Sequence, residues 1–272
     1  MVKFLVGNEV TAVNNTKELL GGRAETCGKH LTVLSVVDST NNYVKKNADI
    51  FADGHTVIAH EQLSGRGRQG KSFYSPNDEG LYMSILVKNP AIQNDSLFTA
   101  KICLAVCRAI DKLTGTDNNS GVGIKWVNDI YFGKKKLCGI LCERFVSADG
   151  NTYVVAGIGV NIKLVNAAVP KDLRSIVTSL YDITKISYDK FTLASIICEE
   201  FEKVFSEKNE DVISEYKKRS VVIGREIRIV GEDGDIRAAA LDICEDGALL
   251  VRTEEGYTRK LCGGEITIRL KK

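Results

Sequence analysis

Residues 62–76 read Gln-Leu-Ser-Gly-Arg-Gly-Arg-Gln-Gly-Lys-Ser-Phe-Tyr-Ser-Pro, and no other stretch limits the fold as tightly. Gly65, Gly67 and Gly70 free the backbone to turn sharply and approach a ligand, while Arg66, Arg68 and Lys71 put three cations into the same turn. Such a loop suits an anion. Gly65-x-Gly67-x-x-Gly70 also has the dinucleotide-binding spacing, which is informative only between a strand and a helix. Residues 55–61 read as a strand, but residues 71–80 contain Pro76 and an Asn77-Asp78-Glu79-Gly80 turn, so no helix starts there. The next strand, residues 81–88, ends on Lys88 and Asn89, which leaves no acidic partner for a ribose hydroxyl. The pattern argues against a dinucleotide-binding fold. On this stretch alone, a basic surface loop without a ligand remains open.

At 272 residues with 44% apolar side chains, the chain can bury one larger core and a smaller one. Its 37 basic and 35 acidic residues leave a net charge of +2, too small for general attraction to nucleic acid. Any cationic function must be local. The eight cysteines, at 27, 103, 107, 138, 142, 198, 244 and 262, show no C-x-x-C pair, and they read as small buried hydrophobes. The apolar run at residues 4–7 is too short for a signal-peptide core, and the other apolar stretches are strand-length. A reducing cytoplasm and no membrane span are the expectations.

Residues 1–29 read as a weakly structured or short helical extension, too short for a helix-turn-helix module. Residues 30–37 read as a strand, and Asp38-Ser39-Thr40-Asn41-Asn42 opens a short helix whose polar side chains suit ordinary capping. A helix capped by Ser96 runs to Lys112 with a core-facing apolar stripe. Residues 124–132 and 137–143 form a hairpin around a Gly133-Lys134-Lys135-Lys136 turn, and residues 153–163 a third strand opened by Gly157 and Gly159. Helices are expected over 171–180, 189–206 and 210–219. Beyond residue 220, five short strands broken by Gly-containing turns predict a small barrel. The division is thus 1–29, 30–220 and 221–272.

Five motifs, taken together and in order, resemble biotin protein ligases. They are Asp38-Ser39-Thr40-Asn41, Gln62 with residues 65–70, Lys125-Trp126-Val127-Asn128-Asp129, Lys136-Leu137-Cys138-Gly139-Ile140-Leu141-Cys142-Glu143 and Gly157-Ile158-Gly159-Val160-Asn161. The resemblance covers residues 30–272 and is similar to the members without a DNA-binding module. It implies an α+β catalytic domain on a mixed sheet, like class II aminoacyl-tRNA synthetases, followed by an SH3-like barrel. It implies that biotin and ATP give biotinyl-5′-adenylate, with Mg²⁺ present, and that the biotinyl group passes to a lysine of a biotin carboxyl carrier domain. No DNA partner is implied, and monomer and homodimer both stay open.

By that resemblance Ser39, Thr40, Asn41, Gln62 and Gly65 surround biotin, and Gly139, Gly157 and Gly159 leave it room. Arg66 and Lys136 hold its carboxylate and the phosphate, and with Arg68 they form the catalytic set. Arg68, Gln69, Gly70, Lys71, Lys125, Asn128, Asp129 and Asn161 face ATP, Asp129 as the indirect anchor of Mg²⁺. Three positions depart from the family habit: Phe73 and Leu261 stand where members often have tryptophan, and Val127 where they often have proline. Two alternatives remain: a lipoate-type acyl-adenylating ligase, and a nucleic-acid-binding module, which the lack of an aromatic-rich basic face disfavours.

Overall fold

The computed structural model describes residues 2–6, 9–13, 24–116, 121–148, 150–165, 168–231 and 234–268, the first two segments through their backbone alone. β1 (Val2–Val6) and β2 (Glu9–Val13) form an antiparallel hairpin, in place of the expected weakly structured or helical extension. The expected cap at 14–16 and the Gly21-Gly22 break lie outside the described residues.

A seven-stranded mixed sheet forms the centre. Its strands are β3 (Leu31–Val37), β4 (Thr56–Gln62), β5 (Gly80–Lys88), β6 (Val122–Lys125), β7 (Asp129–Phe132), β8 (Lys135–Val146) and β9 (Thr152–Asn161), in the order β3-β4-β5-β9-β8-β7-β6. β3 and β4 pair in parallel and every other neighbour is antiparallel. The parallel pair is joined by a crossover that contains helix α1 (Thr40–Lys46), the usual connection between parallel neighbours.

Alternating side chains go to opposite faces. Val33, Ile58, Met83 and Ile158 join one large core with α2 (Asp95–Thr114), α4 (Lys190–Ser206) and α5 (Asn209–Arg219). Leu34, Val57, Ala59, Leu86 and Val155 face the other way, onto Val44 of α1 and Ala48 just beyond it. Helix α2 is apolar on nearly all sides because it is enclosed between the sheet and α4. Its cap is Asn94, whose side chain accepts from the Leu97 N–H, and not the expected Ser96; the Ser96 hydroxyl instead donates to the Cys262 carbonyl.

The helix expected over 171–180 does not form. Residues 171–176 are turns, Val177 bridges in parallel to Lys136, and only α3 (Leu180–Thr184) is helical. Lys136 N–H donates to the Ile176 carbonyl at 2.7 Å and Thr178 N–H to the Lys136 carbonyl at 2.9 Å. Pairing with β8 takes backbone groups that a helix would use within itself.

The C-terminal strands are β10 (Glu226–Val230), β11 (Ile236–Ile243), β12 (Leu249–Thr253), β13 (Thr258–Leu261) and β14 (Glu265–Ile268), all antiparallel in the order β13-β12-β11-β10-β14. The five expected strands are there, but β13 and β14 are opposite edges, so the unit is an open sheet and not a closed barrel. Trp126 ties it to the central sheet: the indole is buried and its Nε1–H donates to the Gly247 carbonyl at 3.0 Å. The single tryptophan is thus a packing residue between the two sheets.

Candidate active site

The register of β5, β9 and β8 lays glycines side by side. Ser84, Gly157 and Leu141 form one cross-strand row, and Tyr82, Gly159, Gly139 and Asp129 the next. With no side chains at 139, 157 and 159, the face carrying α1 is hollow, and a cavity of about 440 Å³ opens there. That size suits a small-molecule ligand. Its lining includes Ser39, Thr40, Asn41, Gln62, Arg66, Arg68, Gln69, Lys71, Lys125, Asn128, Asp129, Lys136, Gly139, Gly157, Gly159 and Asn161. Residues from all five sequence motifs thus meet in one place.

Gly65 and Gly70 are the two expected site residues that do not line it. Their work is in the backbone. A Cβ at Gly65 would lie 2.6 Å from the Ser75 hydroxyl and closer still to the Phe73 carbonyl, which the returning arm of the loop occupies. Gln69 and Gly70 have φ of 52° and 72°, and Lys71 N–H donates to the Arg68 carbonyl at 3.1 Å. Two successive positive φ values closed by that bond make the tip a tight two-residue hairpin turn, which favours glycine.

One end of the cavity is neutral and polar. Ser39 precedes α1, is buried, and makes no side-chain capping bond, so ordinary capping does not account for it. The Gln62 carboxamide oxygen accepts from Thr40 N–H at 2.9 Å and from the Thr40 hydroxyl at 3.1 Å, and its Nε2 donates to Ser75 at 2.9 Å. Ser84 donates to the Asn41 carboxamide oxygen at 2.6 Å. Asn41 fills the space over Gly157, where a Cβ would fall within 2.9 Å of its Cγ. The Phe73 ring fills the space over Gly159, 2.5 Å from where a Cβ would be.

The other end is charged. Lys136 Nζ lies 2.7 Å from Asp129 Oδ1 and 5.9 Å from the Phe73 ring centre. Lys125 is mostly buried, and burial lowers its pKa despite the nearby Asp129. Burial also raises the Tyr131 hydroxyl to about 12, with Asp129 adding to it. Asn128 Nδ2 donates to the Ile140 carbonyl at 2.6 Å and Asn161 Nδ2 to the Thr178 carbonyl at 2.9 Å, which fixes both amides at the rim. Arg68 carries no salt bridge to a described residue, and its guanidinium lies against Gly263.

Several lining residues were not legible in the sequence. Tyr74, Tyr131, Leu164, Leu173, Ile176 and Val177 supply apolar wall beside Phe73, which the family resemblance places in the pocket, and Gly264, Glu265 and Ile266 reach in from the C-terminal sheet. Glu265 pairs with Lys71, so β14 contacts the glycine-arginine loop directly, whereas Leu261 lies outside the lining. The apolar residues following Asn161 were the one available hint.

A family profile described as "Biotin/lipoate A/B protein ligase family" matches residues 33–161, and one described as "Biotin protein ligase C terminal domain" matches residues 222–269. The chain is 30% identical over 265 residues to the bifunctional ligase/repressor BirA of Escherichia coli, covering 94% of this chain and 78% of that protein. It is 28% identical over 229 residues to the biotin–(acetyl-CoA-carboxylase) ligase of Mycobacterium tuberculosis, covering 81% of this chain and 82% of that one. The solved structure of biotin protein ligase from Aquifex aeolicus in complex with biotin and ATP superimposes with a TM-score of 0.73 at 29% identity, over 89% of this chain and all of that one. With identity sustained across both sheets and the same architecture beneath it, this chain belongs to the biotin protein ligase family.

Proposed function

We propose that this chain activates biotin with ATP to biotinyl-5′-adenylate and transfers the biotinyl group to a lysine of a biotin carboxyl carrier protein. The observation that carries it is one cavity with a neutral hydrogen-bonding end and a cationic end, in a member of this family. A biotin carboxylate oxygen attacks the α-phosphorus of ATP and pyrophosphate leaves. The carrier lysine amine then attacks the acyl carbon and AMP leaves. The central sheet carries this chemistry, and the C-terminal sheet reaches it through Gly264, Glu265 and Ile266.

Ser39, Thr40, Asn41 and Gln62 bind the ureido ring, a neutral group that wants hydroxyl and amide partners. The Thr40–Gln62 and Asn41–Ser84 bonds support this, because each leaves an amide in a defined orientation. Arg66, Arg68 and Lys136 stabilise the charge that gathers as pyrophosphate departs, each charge-assisted contact contributing about 1.5–3 kcal/mol. Lys71, Lys125, Asn128 and Asn161 hold the nucleotide.

Mg²⁺ takes one or two carboxylates and completes its shell with phosphate oxygens and water. The Asp129 carboxylate at the charged end fits that donor set, and no cluster of three or more metal-binding side chains occurs among the described residues. Bound there with ATP, Mg²⁺ would offset phosphate charge. No helix among the described residues is long and apolar enough to cross a membrane, which is compatible with cytoplasmic work on a carrier protein.

The test is pyrophosphate exchange into ATP with biotin, with lipoate and with neither. Exchange confined to biotin supports the assignment, and exchange driven by lipoate would replace it with a lipoate-type ligase.

A further inference from the structure

Glu143, on β8, belongs to none of the groups placed around the ligand above. Its side chain is 16% exposed and does not line the cavity, yet it touches residues that do. Lys45 Nζ lies 2.6 Å from Oε1, Asn41 Nδ2 donates to Oε2 at 2.9 Å, and Arg66 reaches Oε1 at 3.2 Å. Burial alone would raise its pKa, but the hydrogen bonds from Lys45 and Asn41 outweigh it and hold the carboxyl below its usual range.

We infer that Glu143 is a positioning residue for the reaction: its carboxylate fixes where the Arg66 guanidinium and the Asn41 carboxamide point. The inference rests on the function proposed above. Asn41 receives Ser84 on its oxygen and donates from Nδ2 to the Leu141 carbonyl and to Glu143. Flipping that amide would set its oxygen against two acceptors, so Glu143 helps lock the orientation. Arg66 stands between Gly65 and Gly67 in a loop with little intrinsic stiffness. Its other side-chain partner is the Asn42 oxygen, at 2.8 Å, and Asn42 is itself held by Asp38 at 2.7 Å. Glu143 is the fixed charge in that chain of contacts.

Position and charge make opposite forecasts here. Glu143 neutralises one of two neighbouring cations, so a purely electrostatic effect of Glu143→Gln would strengthen binding of an anionic substrate. A positioning effect weakens it. Glutamine has the same shape and retains an acceptor for Asn41, so the change acts on the two cations at Oε1, Lys45 and Arg66, and the Arg66→Ala background isolates the part that runs through Arg66.

The experiment is biotin-dependent pyrophosphate exchange and calorimetric biotin binding for wild type, Glu143→Gln, Arg66→Ala and the double variant. We expect Glu143→Gln to lower kcat/KM for biotin about tenfold with the thermal midpoint kept, and to cost less than about threefold in the Arg66→Ala background. Glu143→Asp, measured alongside in case the glutamine variant does not fold, should recover part of the loss. An unchanged or raised kcat/KM in Glu143→Gln, an equal loss in both backgrounds, or no difference between Asp and Gln would overturn the inference. Absence of biotin-dependent exchange in the wild type would instead overturn the proposed function.

Discussion

The Asn41 carboxamide occupies the space that a side chain at Gly157 would need: a Cβ there would fall within 2.9 Å of Asn41 Cγ and Nδ2, and closer still to Oδ1. The two residues are brought together by α1 crossing the sheet above β9, and Asn41 cannot yield easily because Ser84, Leu141 and Glu143 hold it. Gly157→Ala is therefore expected to push Asn41 off its partners and raise KM for biotin at least tenfold, with little change in KM for ATP. Steady-state exchange kinetics at varied biotin and varied ATP check this; equal shifts in both constants would show a general loss of structure.

Lys136 is paired with Asp129 at 2.7 Å and lines the cavity, while Lys134, in the adjacent turn, also borders it but is exposed to solvent. Removing a fixed cation aimed at developing charge costs on the order of 3–4 kcal/mol, about a hundredfold or more in rate. Lys136→Ala should lose that much pyrophosphate exchange, and Lys134→Ala less than about threefold. Similar losses in the two variants would remove Lys136 from the catalytic set.

Lys71 and Glu265 join the glycine-arginine loop to β14, across two parts of the chain nearly two hundred residues apart. Both groups are partly exposed, so the pair contributes little to overall stability. Its consequence is local order at the nucleotide end. Glu265→Ala is expected to raise KM for ATP several-fold and to accelerate escape of the adenylate, with the melting temperature within a degree or two of wild type. A filter-binding time course of labelled adenylate measures the escape, and an unchanged rate would count against a closing role for β14.

His55 supplies a pH dependence. Burial, reinforced by His30, lowers its pKa from 6.5 to about 4, while Phe51 stacks on the ring and Thr32 bonds Nε2 at 3.0 Å. Between those values the unfolded chain takes up a proton that the folded chain refuses. Stability from this group is complete above pH 6.5 and is lost as the pH falls towards 4, by about 3 kcal/mol at the limit. Melting temperatures at pH 7.5 and pH 5 should differ less for His55→Gln than for wild type, and an identical drop would assign the effect elsewhere.

Much of the central sheet was readable from local pattern. The strands flanking the glycine-arginine loop, the turn at Gly133 and Lys134 between β7 and β8 and the helices α4 and α5 follow from alternation, helical periodicity and turn residues, but residues 124–132, expected as one strand, fold back on themselves as β6 and β7. The polar and charged lining was readable only through the resemblance of the five ordered motifs to biotin protein ligases, and Gln62, Arg66, Lys136 and Asn161 do line the cavity. What escaped was set by distant pairing. Residues 171–176 have the composition of a helix, but bonding of the Ile176–Thr178 backbone to Lys136 overrides that propensity. Glu265 reads as an ordinary strand residue, and only the docking of the C-terminal sheet brings it to Lys71. Phe73 is expected as apolar pocket lining, but that the glycines at 139 and 159 seat its ring could be seen only from the strand register. The open edge between β13 and β14 follows from strand order, which the turn signals between strands do not encode.

The central claim is that one cavity activates biotin and hands it on. Its most direct measurement is the intact mass of a biotin carboxyl carrier domain after incubation with the protein, ATP and biotin. One added biotinyl group, dependent on both ATP and biotin and absent when the carrier's acceptor lysine is replaced, is the predicted result. An unmodified carrier, from protein shown by calorimetry to bind biotin, would contradict it.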